Sequence, residues 1–356
     1  MKKTALIMAG GRGERFWPRS RVNMPKQFLS LTDDGKTMIQ LTVERILPLV
    51  KLEDIFISTN RRYRNLVREQ LPELPEENIL CEPIARNTAP CIGLGAVHIA
   101  KKYDDAVMFV LPSDHLITHS QIFRKTLNDA AETAEQGPNL VTIGITPTYP
   151  ETGYGYIKFD PEKTYGPTFA VERFVEKPDL ETARKYVQSQ QYLWNSGMFT
   201  WKVSTILQNL EEHMPETAAG LRRIGEAIGT AEEDAVLERE FQAFRSESID
   251  YGIMEKAKNI YILTGAFGWD DVGSWLAVER FREKNEFNNV VSGNVVTVDT
   301  KDTVIQGEKK LIAAVGLEDL IIIDTEDALL VCDKNSAGDI KKVIENLKIC
   351  NRTEYL

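Results

Sequence analysis

Apolar residues fall into two rhythms along this chain. Short, unbroken apolar runs at 4–8, 55–59, 106–111 and 140–145 have the length and composition of strands covered on both faces. Between them, Ile39, Val43, Ile46, Leu47 and Val50 recur on one helical face, and Ile122, Leu127, Ala130, Ala131 and Ala134 form a looser stripe. Ser120 is placed to cap that second helix and Gly137 to end it. Strand–helix alternation predicts a doubly wound, largely parallel α/β sheet. Ligands of such sheets bind beyond the carboxyl ends of the strands, where the loops carrying Gly10 and Asp114 would lie.

Past residue 150 the rhythm changes. Strand-like segments at 154–159, 169–176 and 197–201, with a helix over 179–190, predict a mixed-sheet extension. Further helices are expected at 203–213, 232–245, 249–257 and 274–284. Beyond 287, apolar runs at Val295–Val298, Val304–Ile305, Leu311–Val315, Leu320–Ile323 and Leu329–Val331 alternate with polar turns. They predict a small β-rich module, shaped as a short β-helix and closed by a helix over 338–349. The expected division is therefore 1–286 and 287–356.

Charge sharpens this picture at one place. The chain carries 43 basic and 53 acidic side chains, a net charge of −10, which argues against a nucleic-acid or anionic-membrane partner. Residues 1–26 run the other way, with Lys2, Lys3, Arg12, Arg15, Arg19, Arg21 and Lys26 against Glu14 alone. The first strand there opens into Gly10-Gly11-Arg12-Gly13-Glu14-Arg15. Glycines let main-chain N–H groups approach an anion, and the cations neutralise it, so this loop reads as a polyphosphate cradle. It is not a Walker A loop, which ends in Gly-Lys-Ser/Thr, nor a dinucleotide fingerprint, whose third glycine is here Phe16. No apolar stretch is long enough to cross a bilayer or serve as a signal peptide. Cys81, Cys91, Cys332 and Cys350 lack metal-ligand spacing and suit reduced thiols in the cytoplasm.

Carboxylates supply the second half of the chemistry. Asp114, in Leu-Pro-Ser-Asp-His after an apolar strand, suits a Mg²⁺ ligand or a turn aspartate. Asp270-Asp271, between Trp269 and Val272-Gly273, could supply a second metal carboxylate or a helix cap. Glu176-Lys177-Pro178 pairs an anion with a cation at a forced turn. Asn195 beside Trp194 and Gly197, and Gly155 in Thr-Gly-Tyr-Gly-Tyr, would suit a sugar face. None of the histidines has triad or zinc spacing.

Taken in order, these motifs resemble the sugar-nucleotide pyrophosphorylases over nearly the whole chain. The residues that carry the likeness are Met8–Pro18, Pro25–Phe28, Thr152–Ile157, Phe174–Pro178, Trp194–Phe199, Ser248–Glu255 and Gly268–Trp275. Glu82-Pro-Ile-Ala-Arg-Asn-Thr-Ala-Pro90 points to the guanylyl-mannose branch. The resemblance implies a Rossmann-like, glycosyltransferase-A-type nucleotidyltransferase domain and a left-handed β-helix-like tail. It implies GTP and mannose 1-phosphate as substrates, GDP-mannose and pyrophosphate as products, and Mg²⁺ as cofactor. By that likeness, Gly10, Gly11, Arg12 and Gly13 cradle the nucleotide phosphates, and Arg15 and Lys26 grip the triphosphate. Lys177 would hold the sugar phosphate, while Asp114 and Asp271 hold the metal. Gly155, Glu176 and Asn195 would meet the sugar, and Glu82, Asn87, Thr88, Ala89 and Ser113 the guanosine. Asp270 departs from the family's Trp-x-Asp-Val-Gly pattern by adding a second carboxylate. The tail's apolar runs suit a homodimer interface, to which the resemblance points, or a cover on the catalytic domain. Ending at Leu356 leaves no room for the isomerase domain of some relatives, so a single activity is expected. The competing readings are a sister enzyme joining glucose 1-phosphate to UTP or dTTP, and a non-catalytic sensor of nucleotide sugars.

Overall fold

The computed structural model describes residues 1–11 and 13–356; Arg12, an expected phosphate contact, lies outside them. Packing groups the described residues into two compact units. The first comprises Met1–Gly10, Val43–Ser113 and Ile117–Trp269, the second Gly11–Thr42, Asp114–Leu116 and Asp270–Leu356. The chain thus changes unit inside three of the motifs, at Gly10–Gly11, Ser113–Asp114 and Trp269–Asp270.

The first unit is built on a nine-stranded sheet. Its strands are β1 (Lys2–Ala9), β2 (Ile55–Asn60), β3 (Ile79–Glu82), β4 (Ala106–Pro112), β6 (Leu140–Ile145), β7 (Tyr156–Tyr165), β8 (Thr168–Val175), β9 (Tyr192–Lys202) and β10 (Ile260–Gly265); the two-residue β5 (Leu116–Ile117) stands outside it. Their spatial order is β3-β2-β1-β4-β9-β6-β10-β8-β7. The first four are parallel, as alternation predicts. Antiparallel β9 then wedges between β4 and β6, so the sheet is mixed at its centre and not only in the extension. Expected strand 197–201 is the inner half of β9, whose earlier residues are hidden in the pattern by Asn195-Ser196-Gly197.

The helix Thr88–Lys102 gives no periodic signal because it is apolar nearly all round and contains Pro90, Gly93 and Gly95. Those glycines are close-packing positions. A Cβ at Gly95 would meet Leu6 Cδ2 at 2.7 Å, and one at Gly93 would collide with Leu221 of the helix Pro215–Ala227. Other boundaries moved. Ser120 begins its helix rather than capping it, with His119 at the cap and no side-chain bond there. The expected helix 249–257 is a single π-helical turn, Asp250–Met254. That at 274–284 is a 3₁₀ turn, Trp275–Ala277, and a short helix, Val278–Phe281.

The two-residue β11 (Trp269–Asp270) lies at the change of unit, and the second unit carries the tail strands β12 (Val290–Ser292), β13 (Val295–Val298), β14 (Val304–Gln306), β15 (Ile312–Val315), β16 (Leu320–Asp324) and β17 (Leu329–Asp333). Parallel pairing stacks Val290, Val304 and Ile321 in one column and Val295 and Ile312 in another, the pattern of a short β-helix. Antiparallel β17 closes it, and the helix Ile340–Ile349 follows. Its core draws on both ends of the sequence: Phe16, Trp17, Leu29 and Leu31 are buried with Val272, Trp275, Ile321, Ile340 and Ile344. The Phe16 and Trp275 rings lie 5.1 Å apart, and Trp275 Nε1 donates to the Trp17 carbonyl at 3.1 Å. An aromatic side chain buries roughly 150–250 Å², about 4–6 kcal/mol at about 25 cal/mol per Å². Fixing each loop residue costs roughly 1–2 kcal/mol of backbone entropy, so burial of Phe16 and Trp17 offsets much of the cost of holding the glycine-rich loop in place. Among the described residues, no helix is long and apolar enough to cross a membrane.

Candidate active site

Four predicted residues of the second unit meet at one cavity of about 360 Å³: Arg15, Lys26, Asp114 and Asp271 line it, with Gly13, Glu14, His115, Val272, Gly273 and Lys341. Gly13 has φ +60°, and a Cβ there would collide with the Lys26 side chain and lie 2.8 Å from its backbone nitrogen. The loop therefore crosses Lys26 as only glycine can. The Lys26 side chain is 5% exposed. Its Nζ donates to Asp114 Oδ2 at 2.8 Å and to the Asp271 carbonyl at 2.6 Å, so one ammonium ties together two residues far apart in sequence. Burial would push the Asp114 carboxyl up, but Lys26 and then His115 more than offset this, and its pKa lies below the usual carboxylate value.

Asp270 and Asp271 separate cleanly. Asp270 Oδ1 accepts from the Val272 N–H at 2.7 Å and from Arg280 Nη2 at 2.8 Å, and its other oxygen pairs with Arg280 Nε. Asp271 instead lines the cavity. The turn that aims it is strained, because Val272 is β-branched, fully buried and at φ +48°. Among the described residues, no three His, Cys, Asp or Glu side chains converge as a metal cage. Two carboxylates gathered at a cationic wall nonetheless match the donor set of Mg²⁺, which takes few protein carboxylates and completes its shell with phosphate and water.

A second polar cluster lies within the first unit. Asn195 Nδ2 donates to Asp250 Oδ1 at 2.7 Å, while Asn195 Oδ1 accepts from the Gly197 N–H at 3.0 Å, which fixes the amide's orientation. A Cβ at Gly155 would collide with Glu176 Oε1, so Gly155, Glu176 and Asn195 are neighbours, as expected. Burial, reinforced by Glu176, raises the Asp250 pKa to about 6 despite the Asn195 bond. Lys177 sits in a strained left-handed conformation, φ +38°, with its ammonium exposed and 3.6 Å from Glu176 Oε2.

The expected guanosine segment is mixed. Asn87 is exposed in a conformation usual only for glycine, φ 67° and ψ −170°, and its side chain caps Thr88 N–H at 2.8 Å. Thr88 Oγ1 accepts from Ile249 N–H at 2.8 Å. Ala89 is fully buried and its N–H donates to the Glu247 carbonyl, so it anchors the helix start instead of presenting a surface to a ligand. Glu82 is likewise buried at the end of β3, accepting from Ser58 Oγ at 2.9 Å, and burial raises its pKa to about 6. It is placed to shape the loop rather than to offer an open acceptor. Ser113 is buried, its N–H donating to the Met8 carbonyl at 3.1 Å. A Cβ at Gly10 or Gly11 would meet nothing within 4 Å, so the protein's own packing does not demand these glycines.

Three residues escaped the sequence reading. Asp250 had a signal, an acid beside the apolar Ile253-Met254 pair in a recognised motif, but was absorbed into a helix. Val272 shows its strain only in the backbone. Lys341 had none, being one of several lysines on the last helix.

A cavity that sets three cations beside three carboxylates, and a mixed α/β sheet with strained turns beyond its strands, define a phosphate-handling transferase. Residues 4–286 match the family model described as nucleotidyl transferase, and 293–347 match that of the MannoseP isomerase/GMP-like β-helix domain. A mannose-1-phosphate guanylyltransferase of Salmonella montevideo is 41% identical over 99% of this chain and 75% of its own length. That of Escherichia coli (strain K12) is 40% identical over 98% of this chain and 74% of its own. A crystal structure described as a mannose-1-phosphate geranyltransferase from Thermus thermophilus superposes with a TM-score of 0.88 at 35% identity, covering 98% of this chain and 100% of that one. The chain belongs to the nucleotidyl transferase family, in its mannose-1-phosphate guanylyltransferase branch.

Proposed function

We propose that this protein transfers GMP from GTP to α-D-mannose 1-phosphate, forming GDP-mannose and releasing pyrophosphate. The observation that carries the reading is the Lys26 ammonium joining Asp114 to Asp271 at a cavity also lined by Arg15. In the reaction, an oxygen of the sugar phosphate forms a bond to the α-phosphorus of GTP. The bond from that phosphorus to the bridging oxygen breaks, and pyrophosphate leaves with the electron pair. No strong base is needed, because a phosphate monoester with a second pKa near 6 is largely dianionic at neutral pH. The barrier is repulsion between anions, so positioning and charge neutralisation are the work of the site.

Arg15 and Lys26 stabilise the departing pyrophosphate, and Lys177 orients the attacking sugar phosphate. Gly155, Glu176 and Asn195 hold the sugar, with Asp250 fixing the Asn195 amide. Gly10, Gly11 and Gly13 leave the main chain open to the nucleotide phosphates. Asn87, Thr88 and Ser113 flank the guanosine, on a loop held by Glu82 and Ala89. Asp114 and Asp271 would hold Mg²⁺, which supplies charge neutralisation on the phosphate oxygens when bound. Four free thiols suit the cytoplasm, and exposed Val296, Val298 and Val315 on the tail suit a homodimer. A pyrophosphate-release assay pairing GTP, ATP, UTP and dTTP with mannose 1-phosphate or glucose 1-phosphate, with and without Mg²⁺, tests the reading. Turnover should need GTP, mannose 1-phosphate and the metal. Preference for UTP or dTTP with glucose 1-phosphate, or nucleotide-sugar binding without turnover, would overturn it.

A further inference from the structure

The cavity's cations are unequally committed. Lys26 is divided between the Asp114 carboxylate and the Asp271 carbonyl. Arg15 reaches a protein acceptor, the Gly273 carbonyl, only at 3.5 Å. Lys341 lines the same cavity, and among the described residues it forms no ion pair, whereas its neighbour Lys342 is paired with Asp339 at 2.9 Å. The backbone under Lys341 is fixed. Ile340 and Ile344 of its helix are 2% and 7% exposed, packed into the core that holds Phe16 and Trp275, and the helix lies against the Glu14–Phe16 turn. The lysine is therefore a flexible arm on a rigid mount.

Counting charge shows what the arm changes. Arg15, Lys26 and Lys341 line the cavity together with Glu14, Asp114 and Asp271. Among the described residues, the wall without Lys341 carries more carboxylates than cations, and one of the remaining cations is already spent on Asp114. A pyrophosphate group there would then depend on Arg15 and on the metal for its neutralisation. We infer that Lys341, contributed by the β-rich tail, is a further phosphate-binding residue that receives the β- and γ-phosphates of the nucleotide and holds them as pyrophosphate departs. The inference rests on the reaction proposed above. It also gives the tail a part in the chemistry, not only in packing.

The test compares wild type, Lys341→Ala, Lys341→Arg and Lys342→Ala in two measurements. One is calorimetric titration with inorganic pyrophosphate in magnesium buffer. The other is steady-state kinetics with GTP and mannose 1-phosphate varied separately. Lys341→Ala should weaken pyrophosphate binding and raise the KM for GTP about tenfold, the scale of one charged contact of about 1.4 kcal/mol. The KM for mannose 1-phosphate should stay unchanged. Lys341→Arg should restore most of the loss, and Lys342→Ala should match wild type. Pyrophosphate affinity in Lys341→Ala equal to wild type would overturn the inference, as would equal losses for both substrates. Should wild type turn over no nucleotide with any sugar phosphate, the proposed reaction fails, while the pyrophosphate titration still decides the role of Lys341.

Discussion

Replacing Lys26 by methionine separates the reaction from the fold. Methionine keeps the aliphatic stem crossed by Gly13 and removes only the charge. The ammonium makes two hydrogen bonds, one to a carboxylate a third exposed. Hydrogen bonds to charged groups contribute about 1.5–3 kcal/mol. Water can reach Asp114 to replace part of this, and burying an ammonium carries its own cost, so the expected stability loss is about 1–2 kcal/mol. Domains are typically stable by about 5–15 kcal/mol, and the variant should stay folded. Loss of a charge-stabilising group at the reacting phosphates should lower kcat by about 10²–10³, or about 2.7–4 kcal/mol. The two effects also differ in pH dependence. Lys26 holds the Asp114 pKa below its unfolded value, so the pair's stabilisation is complete above the ordinary carboxylate range and is lost as pH falls through the lowered value. Urea melts of wild type and variant should therefore differ most at neutral pH and converge in acid. Pyrophosphate-release kinetics on the same samples complete the experiment. A folded Lys26→Met with kcat within threefold of wild type would refute the assignment of this cation to the reaction.

Three further outcomes follow from the geometry. Asp271→Asn should cut turnover by about 10²–10³ with an unchanged circular dichroism spectrum, whereas near-normal kcat would transfer the role elsewhere. Gly13→Ala combines a left-handed residue, costing about 1–2 kcal/mol, with overlap on Lys26 costing about 1–3 kcal/mol; a thermal melt matching wild type would show that the loop can shift aside. The raised Asp250 pKa, about 6, means that its ionised form is penalised by the fold, a cost absent in acid that grows as pH rises to about 6 and then levels off. Asp250→Asn should thus gain stability relative to wild type over that window, reaching about 3 kcal/mol; a gap independent of pH in urea titrations would contradict the burial argument.

Much of this arrangement was legible in the chain, for identifiable reasons. β1, β2, β4 and β6 are covered on both faces, so each contains a short run of consecutive apolar residues that announces it. The helix Thr88–Lys102 was hidden by the same cause, since burial on every side erases the stripe that marks a helix. β9 was half legible because Gly197, at φ +67°, interrupts its apolar run. Arg15, Lys26, Asp114 and Asp271 could be named from their motifs and grouped by the resemblance, but the packing that gathers them could not be read, since Phe16 and Trp17 find their packing partners far away in the sequence. The 286/287 division follows a change of pattern, whereas packing follows the aromatic anchors and assigns Gly11–Thr42 to the tail.

That split membership has a consequence for how the protein comes into being. A ribosome releases Phe16 and Trp17 more than 250 residues before Trp275, Ile321 and Ile340, the surfaces that bury them. The first unit can begin collapsing on the nascent chain, while the glycine-rich segment waits unclothed. The packed form of that segment is in this way deferred until those later residues have been made, so a polypeptide stalled before Trp275 would lack the partners that bury Phe16 and Trp17.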